Sequence, residues 1–202
     1  MTTATNNSVL IEVLLLNEGR RGLLIKQLTL VCLGIVVLIL SAKIKIPMFP
    51  VPMTMGTFAV LSIGAAYGPR LGLTTVIGYM LIGALGFDVF AGSSAEKLGI
   101  TYMMGSTGGY LVGYVLAVLG LGWAARQGWD RSILKMAGTM VVGNIIIYVP
   151  GLLWLAVLYG WDQPIFAWGL TPFLFGDLIK LSLAALLLPS LWKFVNKVGR
   201  LK

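Results

Sequence analysis

The 202-residue chain carries 15 basic and 7 acidic residues, a formal net charge of +8, and it is 58% hydrophobic and only 11% charged. Soluble domains contain about 25% charged residues, so this composition predicts an integral membrane protein. One cysteine and no histidine exclude an internal disulfide and every mechanism that needs an imidazole as base or ligand. Composition therefore favours binding over bond-making.

The first twenty residues do not have the pattern of a membrane span. Residues 1–10 are polar and uncharged and lack the basic start of a signal peptide, which predicts a disordered tail. Residues 11–16 are too short and too closely flanked by acidic residues to cross a bilayer, which favours an interfacial turn. We therefore expect residues 1–20 to form a tail and interfacial segment, and residues 21–202 to form one membrane domain.

Six apolar stretches are long enough to cross a membrane, the last of them interrupted only by Asp177 and Lys180. They are residues 27–42, 46–69, 71–87, 98–125, 136–161 and 163–192. A helix of about 20 apolar residues spans the hydrocarbon core. The sequence thus predicts an all-α protein, a single bundle of six transmembrane helices with no separate soluble domain.

The basic residues fall mainly on one side of this predicted bundle. Eleven of the 15 lie on the side of the two termini. They are Arg20, Arg21, Lys26, Arg70, Arg126, Arg131, Lys135, Lys193, Lys197, Arg200 and Lys202. Basic loops are retained in the cytoplasm, so both termini are predicted to be cytoplasmic. The pI of about 9.8 then reflects membrane orientation rather than a nucleic-acid partner.

Small residues recur at every fourth position of the fourth span, at Gly105, Gly109, Gly113 and Ala117. In a membrane helix such a row allows a neighbouring helix to approach closely. It predicts helix packing rather than a ligand site. No repeat relates the two halves of the chain, so the inverted repeats of many secondary transporters are not visible.

Two charged residues inside the last span are the strongest sign of a functional site. A charge at the bilayer centre costs about 3 kcal/mol, so such residues face a partner or a cavity. Asp177 and Lys180 are three residues apart and share one helix face. They could bind a ligand, could stabilise the helix with Lys180 reaching towards the interface, or could relay protons.

Two connections on the outer side could border such a site. The segment from Ile46 to Thr54 contains three prolines and must be extended and stiff; Thr54 could cap the next helix or face a ligand. The longest connection, from Phe87 to Tyr102, contains glycine and serine and could be a lid or a plain loop. Outer aromatic residues such as Tyr148 could anchor the interface. No phosphate-binding loop motif is present, so no cofactor is expected and ATP could be used only by partners.

The order of motifs resembles the biotin-specific substrate-binding subunit (S component) of energy-coupling factor transporters. The motifs are Ala42-Lys43-Ile44-Lys45-Ile46-Pro47, Pro50-Val51-Pro52-Met53-Thr54, Gly83-Ala84-Leu85-Gly86, Val89-Phe90-Ala91-Gly92, Gly105-Ser106-Thr107-Gly108-Gly109-Tyr110 and Gly176-Asp177-Leu178-Ile179-Lys180. The resemblance covers roughly 160 residues. It implies six membrane helices with both termini inside, biotin as ligand, and a transmembrane coupling subunit with ABC-type ATPases as partners.

The resemblance also implies a set of binding residues near the outer face. Asp177 and Lys180 match the family's binding Asp and Lys, suited to the N–H groups and to a carbonyl or carboxylate of biotin. Further candidates for the same pocket are Thr54, Gly92, Tyr110, Tyr148 and Asn144.

Three positions depart from the family pattern. Gly56 replaces a usual Gln, while Asp88 and Ser106 each replace a usual Pro. The departures imply a lost polar contact at position 56 and looser outer elements at the other two.

Two other functions are compatible with the residues. An ion- or proton-coupled carrier of small solutes would use Asp177 and Lys180 as a relay. A non-transporting assembly subunit would use the same pair only to set helix packing. The first would transport without ATP, and the second would bind no ligand.

Overall fold

The computed structural model describes residues 8–14, 19–92 and 98–199. The helices are α1 (Leu10–Leu14), α2 (Arg20–Lys43), α3 (Gly56–Ala84), α4 (Gly99–Met103), α5 (Gly108–Arg126), α6 (Ile133–Tyr159), α7 (Ile165–Gly169) and α8 (Leu174–Gly199), with single 3-10 turns at Trp129–Arg131 and Thr171–Phe173. Strand β1 (Lys45–Ile46) pairs antiparallel with β2 (Met53–Thr54). The predicted all-α class is confirmed.

Among the described residues, five helical stretches are long and apolar enough to cross a membrane. They are Arg21–Lys43, Gly56–Ala84, Gly108–Arg126, Ile133–Tyr159 and Ile165–Val195. Large apolar side chains of α2 point away from the protein, with Ile25 and Leu28 both 65% exposed. Such a surface is typical of a helix that faces lipid, which agrees with a protein that crosses the membrane several times.

Helix α3 consists of two segments joined at Gly68. Gly68 has φ +77° and is followed by Pro69, a backbone conformation that glycine adopts without strain. A methyl group added at Gly72 would lie 3.5 Å from the Cα of Gly64, whereas eight residues of straight helix rise about 12 Å. The chain therefore turns back at Gly68. With this reversal the five stretches are compatible with six crossings; the count of six and the cytoplasmic termini stay predictions.

Residues 8–14 pack against the turn at Gly68. Val9 is fully buried, and a methyl group added at Gly68 would lie 3.2 Å from the side chain of Val9. The Glu12 carboxylate accepts a hydrogen bond of 2.6 Å from the Arg126 guanidinium. The predicted disordered tail is thus wrong for residues 8–10, because Val9 fills space above the turn. The other parts of the predicted 1–20 segment, residues 1–7 and 15–18, lie outside the described residues.

Helix α5 packs between α3 and α6. Added methyl groups at Gly109 and Gly113 would lie 2.3 Å from the Pro150 carbonyl oxygen and 2.7 Å from the Ile147 Cα, respectively. The predicted small-residue row is therefore the surface that receives the backbone of α6. Gly105 does not belong to this row on the helix, because α5 begins only at Gly108 and Gly105 lies in the preceding turn.

A buried polar cluster closes the end of the bundle where α5 stops. Asp130 is 1% exposed and accepts a hydrogen bond from the Trp192 indole N–H. The Arg131 guanidinium lies 4.3 Å from the centre of the Trp192 ring. Burial raises the pKa of the Asp130 carboxyl because an apolar environment disfavours the charged form. This cluster holds the chain between α5 and α6 onto α8.

Candidate functional site

The first two turns of α8 carry a buried ion pair. The Lys180 ammonium lies 3.0 Å from the Asp177 Oδ1, as their spacing of three residues on one helix face predicts. Each residue is 6% exposed. Each group lies beside the opposite charge, which offsets part of the cost of burying both.

Two other helices complete the surroundings of the pair. The Tyr148 hydroxyl, from α6, donates a hydrogen bond to Asp177 Oδ2. The Lys180 ammonium donates a second hydrogen bond, 3.1 Å long, to the Thr57 hydroxyl in the first turn of α3. Three helices distant in sequence therefore meet at one polar centre, and each carboxylate oxygen has a partner.

This polar centre lines a cavity, with about 610 Å³ of empty space when the part open to the outside is included. The cavity is lined by Ala42, Val51, Pro52, Thr54, Thr57, Tyr79, Phe90, Ala91, Tyr102, Thr107, Tyr110, Leu111, Tyr114, Tyr148, Phe173, Asp177 and Lys180. Apolar walls combined with a small number of polar groups are typical of small-molecule sites.

The cavity brings together five of the seven sequence-predicted site residues. They are Asp177, Lys180, Thr54, Tyr110 and Tyr148. Gly92 lines an adjoining space instead, and its N–H donates to the Tyr102 hydroxyl at 3.2 Å. Asn144 is absent from the described lining of either space; it is half-buried on α6, one turn before Tyr148. The binding roles of all seven stay predictions.

Five tyrosines line the cavity. They are Tyr79, Tyr102, Tyr110, Tyr114 and Tyr148. The hydroxyl of Tyr110 donates to the carbonyl oxygen of Gly169 at 2.8 Å. That of Tyr79 donates to the carbonyl of Val89 at 3.3 Å. These two bonds hold the rings of Tyr79 and Tyr110 in place, because a buried hydroxyl that loses its hydrogen-bond partner costs free energy.

Tyr114 and Thr54 form a second polar spot beside Gly56. A methyl group added at Gly56 would lie 2.9 Å from both the Thr54 and the Tyr114 hydroxyl oxygens. The Thr54 hydroxyl also accepts the Gly56 N–H at 3.0 Å. Because position 56 is glycine rather than the usual Gln, the hydroxyls of Thr54 and Tyr114 can lie in the space that a side chain would fill.

Sequence reasoning missed several lining residues that carried a usable signal. Thr57 follows Thr54 by three residues at the start of α3, and Tyr114 follows Tyr110 by four residues on α5. Tyr110 and Tyr114 share one face of α5, and Thr57 lies in the first turn of the helix that follows the strand of Thr54. Tyr102 was expected only as a flank of the predicted lid, and it lines the cavity from the short helix α4.

Two lysines bond to the connection that follows α3, which borders the cavity at Phe90 and Ala91. The Lys43 ammonium, at the end of α2, lies 2.5 Å from the Asp88 carboxylate and donates to the Phe90 carbonyl at 3.0 Å. The Lys45 ammonium donates to the Ala91 carbonyl. These bonds join the connection that follows α3 to the end of α2 and to β1.

A further bond joins the turn before α5 to the segment between β1 and β2. The Ser106 hydroxyl donates to the Pro50 carbonyl oxygen at 2.7 Å. Asp88 and Ser106 are two of the departures from the family pattern. Looser outer elements were expected at both positions, but each side chain forms a bond to a distant part of the chain. The predicted lid lies partly outside the described residues, at positions 93–97; its described flanks, Phe90 and Tyr102, stack with ring centres 4.8 Å apart.

The described residues include no group of three or more His, Cys, Asp or Glu side chains that could hold a metal ion. The cavity offers one carboxylate, already paired with an ammonium group. What the arrangement can do chemically is accept and donate hydrogen bonds to a small solute. The fold and the cavity define a membrane protein that captures such a solute.

The comparison with protein families identifies which kind of solute-binding membrane protein this is. The chain matches the BioY family over residues 8–197 and belongs to that family. It is 34% identical over 164 residues to the "Probable biotin transporter BioY" of Pyrococcus horikoshii, covering 80% of this chain and 93% of that protein. It is 35% identical over 150 residues to the "Biotin transporter BioY" of Thermotoga maritima, covering 74% and 86%, respectively.

A solved structure shares the fold. The crystal structure of the S component for biotin from an ECF-type ABC transporter superimposes with a TM-score of 0.70, at 21% sequence identity, over 87% of this chain and 95% of that one. The resemblance inferred from the motifs is confirmed at the level of the family and of the fold.

Proposed function

We propose that the chain captures biotin as the substrate-specific subunit of an ECF-type ABC transporter, and does not catalyse a reaction. The observation that carries the proposal is the buried Asp177–Lys180 pair in the wall of the cavity, in a chain of the BioY family. The names of the relatives, which are biotin transporters, support the choice of ligand.

The unused hydrogen-bonding capacity of the pair fits the ureido ring of biotin. A carboxylate has about four acceptor positions and an ammonium has three donors. Asp177 accepts one bond at each oxygen, from Lys180 and from Tyr148, so it can also accept one of the ureido N–H groups. Lys180 donates to Asp177 and Thr57, so it can also donate to the ureido carbonyl. The ring carries an N–H donor directly beside its carbonyl acceptor, which is the complement of the pair.

The partners and the membrane follow from the same proposal. A transmembrane coupling subunit and ABC-type ATPases would supply the energy, with ATP used only by those partners and no cofactor in this chain. The excess of basic residues on the side of the termini supports a cytoplasmic-membrane location with that side inside. The cavity end would then face outwards, where biotin is collected.

Equilibrium titration of the detergent-purified protein tests the proposal. We expect saturable one-site binding of biotin, weaker binding of desthiobiotin, and no binding of riboflavin. A folded protein that binds no biotin would overturn it. Uptake driven by a pH gradient without ATP would instead favour the carrier.

A side chain at position 56 is expected to weaken biotin binding. In Gly56→Ala the added methyl group meets the Thr54 and Tyr114 hydroxyls at 2.9 Å, so at least one must leave its position. We expect a loss of about tenfold in affinity, equivalent to about 1.4 kcal/mol. Removing one hydroxyl in the double variant Gly56→Ala, Tyr114→Phe should reduce the additional effect of the methyl group.

The control for this experiment is Gly138→Ala on α6, because nothing lies within 4 Å of an added methyl group there. Its biotin affinity should equal that of the unmodified protein. If Gly56→Ala and the control bind equally well, the two hydroxyls beside Gly56 are not part of the binding surface.

A further inference from the structure

A second pocket lies at the other end of the bundle, and we call it the basic pocket. Thr57, near the start of α3, lines the cavity, whereas Tyr67, about 15 Å farther along the helix, lines the basic pocket. The pocket has about 730 Å³ of empty space when the part open to the outside is included. It is lined by Ile11, Glu12, Gln27, Tyr67, Arg70, Leu71, Thr74 and Arg126. These residues come from α1, α2, both segments of α3 and the end of α5.

The described residues that line the basic pocket carry one more positive than negative charge. Arg70 and Arg126 are the two cations, and Glu12 is the carboxylate. Glu12 is already engaged, because it accepts a bond of 2.6 Å from Arg126 and one of 3.2 Å from the Val9 N–H. In the part of the chain that the structure describes, no carboxylate forms an ion pair with Arg70. The Arg70 guanidinium can therefore receive an anion without giving up a partner.

The donors of the basic pocket suit the oxygens of a phosphate group. A guanidinium presents a planar fork of N–H donors that matches two phosphate oxygens. Arg126 uses only part of its five donors on Glu12. The Gln27 amide, from α2, adds two N–H donors to the same lining. Charged and neutral donors from three long helices thus converge on one space.

The basic pocket lies at the depth of lipid headgroups. Arg126 is the last residue of α5, and Arg70 lies two residues beyond the turn at Gly68. Ends of membrane helices lie at the interface between hydrocarbon and water. Leu24 and Leu28, on either side of Gln27 in the sequence of α2, are 54% and 65% exposed, so lipid surrounds this part of the helix.

One face of α3 continues from the basic pocket towards the centre of the bilayer. Thr74, Ile77 and Leu81 follow Arg70 at intervals of four, three and four residues, which places all four side chains on one helix face. Arg70 and Thr74 are exposed, and Ile77 and Leu81 are 38% and 59% exposed. Over about 16 Å this face changes from charged to polar to apolar. A phospholipid has the same order from its phosphate to its acyl chains.

We propose that the basic pocket binds the phosphate group of an anionic phospholipid, with an acyl chain along the face from Thr74 to Leu81. This inference goes beyond the proposed function and does not depend on it. Basic pockets between membrane helices bind anionic headgroups, and the excess positive charge favours phosphatidylglycerol over zwitterionic phosphatidylcholine. Because four helices line the pocket, a bound headgroup joins them and stabilises the folded protein.

Melting curves of the unmodified, detergent-purified protein test the inference without biotin. The additives are phosphatidylglycerol, phosphatidylcholine with the same acyl chains, and glycerol phosphate, which has no acyl chains. We expect phosphatidylglycerol to raise the melting temperature by at least about 4 °C more than phosphatidylcholine, and glycerol phosphate to raise it by less than about 1 °C. Equal effects of the two lipids would overturn the inference. An equal effect of glycerol phosphate and phosphatidylglycerol would identify a site for a free phosphate ester and overturn the lipid as ligand.

Variants locate the lipid effect in the basic pocket. Arg70→Gln should abolish the difference between the two lipids, and Arg70→Lys, which keeps the charge, should retain most of it. The matched control is Arg21→Gln, at an exposed arginine of α2 that does not line the described pocket, and it should retain the full difference. Equal losses in Arg70→Gln and Arg21→Gln would show a response to overall charge and overturn the site. If Arg70→Gln does not fold, Gln27→Leu removes another donor of the pocket, and an unchanged lipid difference in that variant would overturn the inference.

Discussion

Asp177→Asn is expected to weaken biotin binding by at least about 100-fold. The carboxylate accepts bonds from Lys180 and Tyr148 and, in the proposed complex, from a ureido N–H group as well. A bond to a charged acceptor contributes about 1.5–3 kcal/mol, and an amide offers a single acceptor atom in its place. Isothermal titration of biotin into the purified variant measures the loss.

Two controls separate lost binding from lost folding. Asp177→Asn, Lys180→Met removes both charges together, so no unpaired charge remains in the bundle, and its stability should be close to that of the original protein. Asp130→Asn changes another buried aspartate, which contacts Trp192 about 22 Å along α8 from Asp177. We expect the first to bind no biotin and the second to bind normally. Unchanged biotin affinity in a folded Asp177→Asn variant would show that Asp177 does not contribute to biotin binding.

Gly113→Ala is expected to destabilise the bundle by about 1–3 kcal/mol, the range for overpacked interiors. The added methyl group would lie 2.7 Å from the Ile147 Cα and 2.8 Å from its carbonyl oxygen. These are backbone atoms, so relief requires α5 and α6 to separate. Because Ile147 precedes Tyr148, the shift also displaces the bond from Tyr148 to Asp177. Biotin affinity should fall with thermal stability.

Gly138→Ala is again the matched substitution, on α6 and with no atom within 4 Å of the new methyl group. Since alanine favours a helix over glycine by about 1 kcal/mol, its melting temperature should be unchanged or slightly higher. Melting curves of the two variants in one detergent make the comparison. Equal melting temperatures would show that the α5–α6 contact yields to an extra methyl group without cost.

Some of the site could be predicted because its signal is local. Asp177 and Lys180 are separated by three residues in an otherwise apolar span, which puts them on one face whatever surrounds the helix. The position of Asn144 could not be judged in the same way. The cavity reaches α6 at Tyr148, and Asn144 lies about 6 Å farther along the helix axis. How deep a cavity extends depends on the neighbouring helices.

Contacts made by loops were harder to predict from the sequence than helix faces. Asp88 and Ser106 implied looser loops when they were compared only with a sequence pattern containing proline. Their bonds to Lys43 and Pro50 join residues 45 and 56 positions apart, and no periodicity relates such distant positions. Similarly, the burial of Val9 required the position of the Gly68 turn.

The sequence by itself determined that the chain lies in a membrane as apolar helices and that one helix face carries the charged pair. Both depend on span length, composition and spacing within a single helix. Only the tertiary structure decided that Thr57 bonds to Lys180, that the candidate Tyr148 bonds to Asp177 and that Tyr114 lines the same cavity, because these residues come from α3, α6 and α5. Their meeting depends on how closely the backbones approach, and that approach is set by glycine contacts such as Gly113 against Ile147.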